Sequence, residues 1–227
     1  MDEPRKTPLP SSFSRRQALR LGGAAAAGLT LAGCGIGRAS TPDRAADPDA
    51  GWGGTLIDPP FDKPDVTFTD MNGKPFPFLE RTEGRLTVLF FGYTHCPDQC
   101  PTFLNAIASA IDAIGTGPGS RPQVLFVGVD LDRDTPDVLK TYLGNIDPSF
   151  LGLVPTEAAL ADALHALSLP PVEIPEPAAD GSYEVGHPSQ VTVFSPDDLG
   201  HRIYPAVQTR PRQWAEDLPR LDQGTFR

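Results

Sequence analysis

Between residues 66 and 222 the apolar positions alternate between two rhythms. Residues 86–93 (LTVLFFGY) and 123–130 (QVLFVGVD) are continuous apolar runs of strand length, the pattern of strands buried on both faces. Between them, in residues 101–114, Phe103, Leu104, Ile107, Ala110, Ile111 and Ile114 recur at steps that predict a helix with one apolar stripe, and GTGPGSRP (115–122) breaks it. Residues 135–146 and 156–167 predict two more helices. The first has Thr135 as N-cap and Pro136 at its first position, and the second is capped by Thr156. SQVTVFSP (189–196) and HRIYP (201–205) predict a hairpin, and residues 209–221 a closing helix that Pro219 shortens. Upstream, VTFTD (66–70) and PFPFL (75–79) predict short strands around an Asn72-Gly73 turn. Strands alternating with helices imply a three-layer α/β sheet.

The chain is 227 residues long, enough for one domain plus appendages, and its 39% hydrophobic content can fill a core. Twenty-six prolines predict long loops. A net charge of −10 argues against a nucleic-acid partner, which would call for a basic patch.

The first 34 residues read as an address. Arg15-Arg16 precede a weakly apolar Ala/Gly stretch, the form of a twin-arginine export signal, too short and Gly-rich to span a membrane. The stretch ends in Leu31-Ala32-Gly33-Cys34, which resembles a bacterial lipobox with Cys34 as the lipidated residue. The mature protein is thus expected at the cell membrane, lipid-anchored and facing the extracytoplasmic side, where disulfides are permitted. Residues 35–64, rich in Gly, Pro, Ala and Asp without an apolar period, predict a flexible linker; the domain then runs over 65–222, with 223–227 as a tail.

Cys96 and Cys100, in GYTHCPDQCPTF (92–103), lie where a buried strand gives way to a helix. Pro101 suits a first helical turn, so both sulfurs are expected near a helix N-terminus, whose dipole favours thiolate. A staple across so short a loop gains little chain entropy. A redox dithiol remains open, although three residues intervene rather than the two of the thioredoxin motif. A metal site needs a further ligand. His95 adjoins Cys96 and points away in extended backbone, His165 lies within a helix, and His201 is expected to be exposed. His187, which ends a loop and leads into a buried strand, can face the cysteines if that strand neighbours residues 86–93. Two sulfurs and an imidazole suit copper, above all Cu(I). Asp98 is expected to cap the helix, and Asp130 to end its strand either near the site or as a turn residue.

FFGYTHCPDQCPT, VGVDLDRDTPDVLKTY and the late histidine before VTVFSP together resemble the Sco/SenC family of copper-binding assembly proteins. The resemblance covers residues 65–222. It implies a thioredoxin-like fold with an inserted hairpin, and copper bound by Cys96, Cys100 and His187. It also implies a metallochaperone for the CuA centre of cytochrome c oxidase, whose copper-bearing subunit would be the partner. The alternative is a thiol-disulfide oxidoreductase that keeps that subunit's cysteines reduced, with Cys96 and Cys100 redox-active, passing through a disulfide, and a thiol reductase as a further partner. This chain departs from the family where Leu131 follows Val129-Asp130 and where Pro188 separates His187 from Ser189.

Overall fold

The computed structural model describes residues 47–115 and 121–227. The export signal, Cys34 and the first part of the linker lie outside the described residues. Among those described, eight strands and five helices follow in the order β1 (Thr55–Asp62), β2 (Thr67–Asp70), β3 (Pro75–Pro77), α1 (Phe78–Thr82), β4 (Thr87–Gly92), α2 (Gln99–Ile114), β5 (Gln123–Gly128), α3 (Pro136–Gly144), β6 (Leu151–Val154), α4 (Glu157–Ala166), β7 (Gln190–Phe194), β8 (Leu199–Pro205) and α5 (Pro211–Asp222). All strands join one sheet, ordered β1-β8-β7-β4-β5-β6-β2-β3. β4, β5 and β6 are parallel, while β7, β8 and β1 continue antiparallel on one side and β2 and β3 on the other.

The two continuous apolar runs become the central strands because both of their faces are covered. Val88, Phe90, Val124 and Phe126 pack with α2, α3 and α5, while Leu89, Phe91, Leu125 and Val127 pack with α1 and α4. This is the predicted three-layer α/β arrangement. The predicted caps form: Thr135 accepts from the Val138 amide at 3.5 Å and Thr156 from the Ala159 amide at 3.1 Å. The Asn72-Gly73 turn forms as well. Gly73 takes a positive φ of 75°, and Asp70 Oδ1 accepts from the amides of Asn72 and Lys74.

The structure departs from the sequence-based expectation at several places. Residues 47–64 are not a free linker. β1 pairs with β8, Trp52 is buried, and Lys63 donates to the Thr82 carbonyl and Asp198. Pro59 and Pro60 hide this strand from a period-based reading. They sit in a register shift between Leu56 and Phe61 on an edge strand, the one sheet position that tolerates missing donors. The tail is held too, since the Phe226 carbonyl accepts from Arg202 and the Phe226 ring stacks on His201, 3.5 Å between centroids. Phe78 and Leu79, expected to end a strand, instead open α1, and β6, only four residues long, carries too little pattern to be read from sequence.

Candidate metal centre

Three loops meet at the C-terminal ends of β4 and β5. The Cys96 loop follows β4. The turn 130–134 follows β5, whose last residue Gly128 pairs with Gly92. The loop carrying His187 precedes β7, which runs antiparallel to β4 with Val191 opposite Phe90. Crevices at such strand ends are where α/β sheets gather ligand groups.

Cys96 Sγ, Cys100 Sγ and a His187 ring nitrogen lie within 4.8 Å of one another, and Cys100 Sγ is 3.9 Å from His187 Nε2. Cys96 is half-buried and Cys100 fully buried, and neither is bridged. The Cys100 amide, in the first turn of α2, donates to Cys96 Sγ at 3.3 Å. The sulfur therefore takes the capping contact that sequence assigns to Asp98. Asp98 holds the N-cap position without a side-chain cap bond, and its Oδ1 accepts from the Thr102 hydroxyl instead.

The imidazole is fixed in one orientation. His187 Nδ1 lies 3.0 Å from the Pro188 carbonyl, which can only accept, so Nδ1 carries the proton and Nε2 turns its lone pair toward the sulfurs. The backbone carbonyl of Pro188 thus orients the ring. Phe90 and Tyr93 meet the ring edge-on, at 6.0 and 5.5 Å between centroids. Burial holds the His187 pKa below its usual 6.5, keeping the ring neutral. Burial also pushes the Cys100 thiol well up, which overrides the thiolate preference expected from the helix N-terminus. A bound cation would reverse that ordering, since a coordinating thiol is deprotonated outright. Two sulfurs and an unprotonated imidazole nitrogen facing one point form a soft donor set that fits a thiophilic metal such as Cu(I).

A polar cleft of about 340 Å³ opens over these atoms, with Asp98, Gln99 and Glu184 at its mouth. The remaining histidines stand apart from it. His95 is exposed and contacts Thr94, His165 is exposed on α4, and His201, expected to be exposed, packs between Asp197 (2.7 Å) and Phe226. Sequence reasoning left Asp130 undecided and passed over Asp134. Asp130 is fully buried between Tyr183 and Arg133, while Asp134 accepts the Thr94 amide and hydroxyl at 2.9 and 2.7 Å. Their spacing in DLDRD at a strand end was the available signal.

The SCO1/SenC family model matches residues 57–222. Protein SCO2 of Saccharomyces cerevisiae mitochondria is 38% identical over 114 residues, covering 50% of this chain and 36% of the yeast protein. The chain therefore spans about a third of that relative's length. Among solved structures, copper-bound ScoI of Bradyrhizobium japonicum superposes with a TM-score of 0.59 at 33% identity, over 71% of this chain and 99% of that one. Apo Sco1 of Thermus thermophilus superposes at 0.65 and 30% identity, over 75% and 96%. These likenesses bear out the thioredoxin-like fold.

Proposed function

Since the chain belongs to the SCO1/SenC family, with residues 57–222 matching its model, we propose that it binds one copper ion through Cys96, Cys100 and His187. On this reading it hands that ion to the copper-bearing subunit of cytochrome c oxidase as a metallochaperone of CuA assembly, tethered outside the cytoplasmic membrane through lipidated Cys34. The carrying observation is the convergence of two sulfurs and the free Nε2 lone pair within 4.8 Å. The copper held by a relative at 33% identity, nearly all of which this chain covers, supports the choice of metal. No described helix is long and apolar enough to cross a membrane. The thiol-disulfide alternative uses both cysteines but gives His187 no part, and so leaves the orientation of its ring unexplained.

Competition titration of the reduced protein with Cu(I) and a chromophoric chelator tests the site. One equivalent is expected to bind. His187→Ala should weaken binding by more than the roughly 10–100-fold that loss of an outer-shell partner costs. Unchanged affinity in that variant would remove His187 from the site. The tether is tested separately: Cys34→Ser should release the protein from the membrane fraction.

A further inference from the structure

Two of the three carboxylates in the turn between β5 and α3, those of Asp130 and Asp134, face different loops. Asp134 Oδ1 accepts the amide and hydroxyl of Thr94, and its Oδ2 accepts the Asp130 amide at 3.2 Å. Thr94 stands two residues before Cys96. Asp130 Oδ1 accepts the Tyr183 hydroxyl at 3.0 Å, and Oδ2 pairs with Arg133 Nε. The Arg133 guanidinium lies 3.6 Å from the centroid of the Tyr183 ring, and its Nη2 donates to the Tyr183 carbonyl at 3.4 Å. Tyr183 stands four residues before His187. Its loop closes on itself through reciprocal 2.8 Å bonds between Glu173 and Gly186 and a turn from Ala178 to Ser182. Such internal bonds give the loop a shape without fixing where it sits on the sheet. A buried carboxylate with a charged partner and a second donor does fix it, because breaking either contact leaves charge buried without compensation.

We propose that the turn 130–134 is a two-sided brace that sets the spacing between the cysteines and His187. Asp134 positions the cysteine loop through Thr94. Asp130 and Arg133 position the histidine loop through Tyr183. None of the five touches the donor atoms; they are positioning residues. This deepens the copper-site reading above and rests on it, but the brace itself is a property of the metal-free protein.

The test uses the full chain with two conservative changes that leave all three donors in place. Tyr183→Phe keeps a ring over Arg133 and removes the hydroxyl bonded to Asp130. Thr94→Val removes the hydroxyl bonded to Asp134. In Cu(I) competition titrations each should lower affinity about tenfold or more, the scale of an outer-shell loss. Tyr183→Phe should add no further loss in a His187→Ala background, because it acts through that ring. In metal-free protein, amide hydrogen exchange at residues 184–187 should speed up in Tyr183→Phe while that of α5 stays as in the wild type. Wild-type affinity together with wild-type exchange in Tyr183→Phe would overturn the brace. So would an equal loss in the His187→Ala background, which would mark a general stability effect. If the wild-type protein binds no copper, or His187→Ala binds it undiminished, the copper reading fails, and the metal-free exchange still decides the brace.

Discussion

A methyl group at Gly92 would sit 2.9 Å from Cys100 Sγ and 2.8 Å from the rings of Phe90 and Phe126. The last residue of β4 is therefore glycine because the buried sulfur occupies the space a side chain would need. Gly92→Ala should destabilise the fold by about 1–3 kcal/mol through overpacking, read as a lower urea midpoint, and should displace Cys100 from the other two donors. His187 carries a pH prediction. Its pKa is lowered in the folded protein, so above the ordinary value of 6.5 the ring is neutral in both states and costs nothing. As pH falls below 6.5 the unfolded chain takes up the proton first, and stability is lost until the folded value is passed. Asp134, raised by burial, works the opposite way at lower pH, adding stability as it protonates. The metal-free protein should thus lose more stability between about pH 7 and 5 than His187→Gln does, measured by urea unfolding across that range.

At the scale of elements, β1 and the segment before it change the domain's boundary. Two guanidiniums lie over the Trp52 ring, Arg202 at 3.9 Å and Arg220 at 3.5 Å from its centroid, and the Gly53 amide donates to buried Asp217 at 2.8 Å. The segment thereby joins α5 to the edge of the sheet. Trp52→Ala should cost about 3–5 kcal/mol, the range for a buried tryptophan. A version beginning at residue 65 should be far less stable than one beginning at residue 47, as thermal unfolding of the two would reveal. Equal stability would restore residues 47–64 to the role of a linker.

Across the whole molecule, Arg202 ties the two ends of the described chain together. It is fully buried on β8 and donates to Pro48 O, Asp49 Oδ1, Gly54 O and twice to Phe226 O. A guanidinium suits this position because its fixed fork serves several carbonyls at once. Arg202→Ala removes all five bonds and leaves the Gly54 carbonyl buried without its donor, and an expected loss of at least about 1–3 kcal/mol would appear in chemical unfolding. The metal centre lies at other strand ends, so a variant that still folds should keep its copper stoichiometry.

The sequence by itself determined the features that depend on local physics. Continuous apolar runs marked β4 and β5, threonine caps opened α3 and α4, Asn72-Gly73 made its turn, and Cys96 and Cys100 came together because four residues of chain cannot separate them far. The likeness of residues 92–103 to a known family was also legible. Tertiary structure decided what depends on contacts distant in sequence. β7 pairs with β4, and this brings His187 to Cys100 across 87 residues. β1, interrupted by prolines, becomes a strand only because β8 offers an edge. Cys100 is a buried thiol rather than a helix-activated thiolate, since desolvation by the packed core outweighs the dipole. Asp130 and Asp134 look alike in the sequence, yet one holds the histidine loop and the other the cysteine loop, because only the fold brings Tyr183 and Thr94 to them.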